Sequence, residues 1–240
     1  MSRNQRYAIL TLTTTSLLLA LGTGCTQLKA RDRVNKGVHA FKAAKYAEAV
    51  DHFRAATEID PEFDTARLYL ATAYYQQYIP GAESAENVDM ATKAKSEYSR
   101  VLEKDPKNKE GYYTLGVIAW TRSFSKRMEA RAKLGMKPED PGPIKDKKVR
   151  EELRGELLAL VNSGLDNLKK SIEVDAEYDD AMAYMNLLHR ERADLQDTVD
   201  EYKKDVGDAD TWVQKTMEVK KIKQERAAKA QPGGIVQDTK

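Results

Sequence analysis

Two stretches decide the fold: Ala49–Pro61, "AVDHFRAATEIDP", and Ala94–Pro106, "AKSEYSRVLEKDP". Both begin on Ala and place an aromatic four residues on, at Phe53 and Tyr98. A small or β-branched residue follows three later, at Ala56 and Val101, and both close on Asp-Pro. A third copy, Gly164–Ala176 "GLDNLKKSIEVDA", keeps the spacing with Leu168 for the aromatic and Ala176 for Pro. Apolar positions recur at helical spacing throughout. Pro lacks a backbone donor and clashes inside a helix, so each Asp-Pro marks a helix end. A new helical pattern follows each copy: Thr65–Tyr75, Glu110–Trp120 and Asp180–Arg190.

This unit resembles the tetratricopeptide repeat, a 34-residue helix-turn-helix. The residues that carry the resemblance are small side chains at repeat position 8 (Gly37, Ala71, Gly116) and at position 20 (Ala49, Ala94, Gly164), with bulky ones at position 24 (Phe53, Tyr98, Leu168). The Leu-Gly dipeptide of the pattern stands at Leu115-Gly116. A fourth repeat opens with Met182 and Met185 and then loses the pattern. The resemblance implies an all-α fold, a solenoid of three to four repeats. One hairpin cannot bury its apolar face alone; about three or more stacked hairpins make a continuous core.

Two intervals are longer than the repeat period. One excess falls in "QQYIPGAESAENVDM", about residues 77–91. The other falls between Trp120 and Gly164, about 121–160. In the second, a helix running past Phe124 and Met128 stops at Gly135. A return helix follows, with Val149, Leu153, Leu157, Val161, Leu165 and Leu168 on one face. This reads as an extended helical hairpin projecting from the stack, either a docking arm or added bundle. The next pair, roughly Asp180–Lys204 and Asp208–Lys229, is also over-long, with its break at Gly207.

The N-terminus has the layout of an export signal. Arg3 and Arg6 precede an apolar stretch from Tyr7 to Leu21, then Gly22-Thr23-Gly24. The stretch is shorter than the ~20 residues a membrane-crossing helix needs. Leu21-Gly22-Thr23-Gly24-Cys25 resembles a bacterial lipobox, which implies cleavage before Cys25 and lipidation of its sulfur. The usual Leu three residues before the Cys is displaced by one. A lone cysteine in an exported chain has no internal disulfide partner. Thr26, rather than Asp, after the Cys implies an outer-membrane lipoprotein facing the periplasm. The expected layout is a signal peptide over 1–24, a lipidated linker over 25–30, a TPR-like domain over 31–230 and a disordered tail over 231–240.

Arg3 and Arg6 account for the whole formal charge of +2, so the remaining chain is balanced. That argues against a nucleic-acid partner, which would call for a basic excess. The three histidines, His39, His52 and His189, are scattered and lack metal-ligand spacing, so no metal is expected. No phosphate loop or nucleophile elbow appears, so neither enzyme activity, a cofactor nor a small-molecule substrate is expected.

What remains is surface. In the repeat family, set positions on the first helix of each repeat line a peptide groove. Carried over, these are Leu68, Thr72 and Tyr75, then Tyr113, Val117 and Trp120. The expected function is a lipid-anchored envelope scaffold that binds other proteins through its repeats. One alternative is an assembly factor for outer-membrane or surface-fibre proteins. Another is an envelope ligand-binding protein or enzyme that uses the long hairpins.

Overall fold

The computed structural model describes residues 26–82 and 84–230. The stretch expected as a signal peptide, Cys25 and the stretch expected as a tail, from residue 231, lie outside the described residues. Every described element is a helix: α1 (residues 26–42), α2 (Tyr46–Ile59), α3 (Asp64–Gln77), α4 (Ala85–Lys104), α5 (Lys109–Lys133), α6 (Lys147–Val174), α7 (Asp179–Asp194) and α8 (Val199–Ala230). They form helix-turn-helix hairpins of tetratricopeptide type, grouped in two compact units. The first unit runs to Lys104 and the second starts at Asp105.

The three turns between hairpins are built alike. Asp60, Asp105 and Asp175 each accept a side-chain hydrogen bond from the backbone N–H two residues on, at Glu62, Lys107 and Glu177 (3.2, 3.2 and 3.0 Å). The carbonyls of the same three Asp residues then accept from Phe63, Asn108 and Tyr178. This Asx turn closes the chain on itself. The third turn has Ala176 where the others have Pro, so the Asp makes the turn and Pro only prevents the helix from continuing.

The small residues sit where helices touch. In the first unit, a Cβ added at Gly37 of α1 would lie 2.5 Å from the Phe53 ring of α2. In the second, a Cβ at Gly116 of α5 would lie 2.4 Å from Leu168 of α6, and one at Gly164 would meet Ala119 and Leu188 at 2.6 and 2.7 Å. Repeat positions 8 and 24 are therefore in direct contact. Gly164, at position 20, meets both the first helix of its own repeat and the first helix of the next.

In the first unit the α1–α2 turn puts a non-glycine residue, Ala44, at φ 57°. Lys45 N–H bonds to the Ala40 carbonyl across it, the closure of a Schellman motif. The excess expected near 77–91 is partly helix, because α4 starts at Ala85. Asn87, buried on α4, ties down the connecting loop. It accepts from Ile79 N–H (2.7 Å) and donates to the carbonyls of Ile79 and Ala82 (2.8 and 2.7 Å). Residues 26–30, expected as linker, are instead the start of α1, with Ala30 fully buried.

In the second unit α5 does stop at Gly135, at φ 65°, where Met136 N–H reaches back to the Arg131 carbonyl. The hairpin α5–α6 is not a projecting arm at its tip. The loop after α5 folds onto the end of α7: Ile144 is fully buried, and its N–H bonds to the Asp194 carbonyl. The α7–α8 break also differs from expectation. It lies at residues 195–198, and α8 runs unbroken through Gly207. Thr198 and Glu201 form a reciprocal capping box there. Glu201 N–H donates to Thr198 Oγ1 (3.2 Å), and Thr198 N–H donates to Glu201 Oε2 (3.2 Å).

Candidate functional site

The first helices of the two hairpins in the second unit, α5 and α7, lie side by side and carry an aromatic ladder. Tyr113 is 5.6 Å from Tyr184 and 5.2 Å from Tyr178, between ring centroids. Tyr184 stands edge-on to Trp120 at 5.4 Å, and Trp120 is 5.1 Å from Phe124. The Arg127 guanidinium lies over the Phe124 ring, 5.5 Å from its centroid. Edge-to-face and offset contacts of this kind hold rings in place with an apolar body and a polar tip.

These rings are half-buried, and Phe124 is 37% exposed. Trp120 Nε1 lies buried with no hydrogen-bond partner among the described residues. Tyr178 donates to Glu110 Oε2 at 2.6 Å. Burial, reinforced by that carboxylate, pushes its phenol above the ordinary range, and burial pushes Tyr184 the same way. Both rings are therefore neutral hydrogen-bonding groups at any physiological pH.

The residues carried over from the repeat family divide three ways. Tyr113 and Trp120 belong to the ladder. Val117, between them in sequence, is 3% exposed and offers no side-chain surface to a partner. Leu68, Thr72 and Tyr75 share one face of α3 in the first unit and are half-buried; the Thr72 hydroxyl lies 3.1 Å from that of Tyr98 on α4. Tyr178, Tyr184 and Phe124 were not among the expected groove residues. Tyr184 lies in the fourth repeat, where the pattern fades, and Phe124 lies beyond the repeat length.

Two charged clusters also escape a linear reading. At the base of the α5–α6 loop, Arg127 donates to Glu191 (2.7 Å) and Asp194 (2.6 Å), and Arg131 grips both oxygens of Asp194 at 3.0 Å. Arg131 is 1% exposed, and its other end donates to the carbonyls of Lys137 and Asp140 (2.7 and 2.8 Å). Burial raises Glu191 to about 7 against the opposing pull of Arg127. Removing one partner of such a pair leaves a buried charge uncompensated.

Between α7 and α8, the His189, Asp205 and Asp208 side chains converge within 4.8 Å. The geometry is that of a cation site, but the cation is already supplied. Arg192 donates to Asp205 (2.9 Å) and also contacts His189, and Gln196 takes the other Asp205 oxygen at 2.6 Å. Burial alone would raise Asp205, yet these donors overcome it and hold the carboxyl down at about 2. Both clusters are consumed by internal pairing.

A scan across protein families and a search among curated proteins find no match. Among solved structures the chain is similar to one named MamA MSR-1 C2, at 16% identity, over 79% of this chain and 98% of that one, with a TM-score of 0.31. So loose a likeness bears on neither partner nor chemistry.

Proposed function

We propose that this protein is a cell-envelope scaffold, tethered through a lipid on Cys25, that holds a partner protein against the α5–α7 face. The observation that carries this reading is the ladder Tyr113–Tyr184–Trp120–Phe124. Half-exposed aromatic rings held rigid on helices lose little entropy on binding, and Tyr and Trp dominate interface energetics.

The tether rests on the lipobox-like stretch ending at Cys25. No described helix is long and apolar enough to cross a membrane. Labelling cells with a fatty-acid analogue tests this half: the wild type takes up label and Cys25→Ser does not. Equal uptake by both ends the anchoring claim.

The scaffold half is tested by capture from gently solubilised envelopes, comparing wild type with Phe124→Ser and Tyr184→Ala. Loss of a captured protein in both variants, with unchanged melting temperature for Phe124→Ser, supports the ladder. A partner retained by both refutes it. Should the captured protein be a barrel or a fibre subunit, the scaffold narrows to an assembly factor.

A further inference from the structure

We infer that the outward face of α1 is a second interaction surface, whose occupant is an anionic lipid surface. The choice of occupant rests on the tether proposed at Cys25; the aromatic ladder plays no part in it. α1 carries five basic side chains, Lys29, Arg31, Arg33, Lys36 and Lys42, against one acid, Asp32. All five are exposed. The chain beyond Arg6 is neutral as a whole, so this is a local excess.

The helical period sorts these side chains. Ala30, Val34, Gly37 and Ala40 are buried and mark the packed side, where Gly37 faces Phe53 of α2. The opposite side carries Leu28, Asn35 and His39 along its middle. Lys29 and Lys36 line one edge of it, and Arg31 and Lys42 line the other. Arg33 lies outside this face. Asp32 lies on it, held by Lys36 at 2.8 Å, so Lys29, Arg31 and Lys42 have no acid partner among the described residues. The acids that follow are met by bases of their own. Glu48 pairs with Lys45 (3.6 Å) and lies beside His52, and Asp51 pairs with Arg54 (3.3 Å), which acts on Glu58 as well. In the next turn Asp60 accepts a backbone N–H, and Glu62 and Asp64 share Lys104.

Leu28 makes lipid the occupant. At 70% it is the most exposed large apolar side chain among the described residues, and it stands in the middle of the basic face, three positions from Cys25. That pattern suits a headgroup boundary, where an apolar side chain sinks and long basic side chains reach back to phosphates. α1 begins one residue after Cys25 and is about 25 Å long, so a lipid on Cys25 brings the whole face within reach of the bilayer. Each basic side chain at an anionic surface strengthens partition about fivefold, and a net of three gives about a hundredfold. That is too little to recruit a free protein, but enough to fix how a tethered one lies on the membrane.

The test uses residues 26–240, which hold every described helix and no cysteine, with a single cooperative melt as the folding control. This chain is co-sedimented with phosphatidylcholine vesicles, with or without phosphatidylglycerol, at millimolar lipid. Binding to the anionic vesicles is expected to be about tenfold or more tighter, and to be lost at high salt. Arg31→Gln with Lys42→Gln should weaken it about tenfold or more at unchanged melting temperature. Leu28→Ser, which alters no charge, should weaken it about fivefold. Lys203→Gln with Lys204→Gln, exposed on α8, should leave it as it was. Equal binding to both vesicle types overturns the inference, as does binding that the α1 substitutions leave intact, or none at all in millimolar lipid. Duplex DNA held as tightly as the anionic vesicles, and indifferent to Leu28→Ser, gives the face to nucleic acid instead and overturns it too. The chain tested has no Cys25, so a negative result here leaves the tether to stand or fall on its own fatty-acid labelling.

Discussion

Single atoms decide the helix spacing. Gly116 faces a Leu168 side chain that is itself fully buried, so even one methyl must displace it. Gly116→Ala is expected to cost ~1–3 kcal/mol in urea unfolding, as over-packing does. Ala44 offers the reverse. Its left-handed backbone is strained for an L-residue, and Ala44→Gly should gain up to ~1 kcal/mol. Glu191 sets a pH signature. Its folded value is raised, so the native state holds a proton that the unfolded chain has released above about 4.5. Its contribution to stability therefore falls as pH climbs toward about 7, by an amount on the order of 3 kcal/mol at most. Melting temperatures measured from pH 4.5 to 7.5 should show that decline in the wild type and lose it in Glu191→Gln. These clusters were hidden from a linear reading for a physical reason. Arg131 and Asp194 stand 63 positions apart, and such pairing leaves no periodic trace.

At the scale of elements, helices and their partners were legible where contact is made by residue size. Gly37, Gly116 and Gly164 announce close approach, and Phe53 and Leu168, which Gly37 and Gly116 meet, stand at the family spacing. Helix ends were legible where Asp begins the turn. Glycine alone was an uneven signal, right at Gly135 and wrong at Gly207. Gly207 lies inside α8, and the stop is made by Leu195 to Thr198 with its capping box. Thr198-Val199-Asp200-Glu201 is a sequence signature of a helix start, obscured by charged neighbours on both sides. The two sites should respond oppositely. Thr198→Ala removes a cap and should lose ~1 kcal/mol. Gly207→Ala fills open space in a helix interior and should gain ~0.5–1 kcal/mol. Equal losses from both would place the break at Gly207 after all.

For the molecule as a whole, the balanced charge beyond Arg6 matters as much as any pocket. A chain with no basic excess gains little from polyanions, so capture on DNA or heparin should be weak and vanish at modest salt. Membrane association should depend on Cys25. In detergent phase separation the wild type is expected with the detergent and Cys25→Ser in the water phase. The candidate surface was only half legible at this scale. Tyr113 and Trp120 could be placed by repeat position, but the ladder is completed by Tyr184 and Tyr178, and only folding brings α7 beside α5.

The grip of Arg131 on Asp194 also imposes an order of events in biosynthesis. The chain is made from its N-terminus, so α5, its loop and α6 all emerge before Asp194 exists. Until then the guanidinium has no carboxylate to meet, and burying it alone would cost several kcal/mol. The loop is therefore expected to stay open on the nascent chain until Asp194 is available. A chain stalled before Asp194 should show this loop open to protease, and one stalled beyond α8 should not.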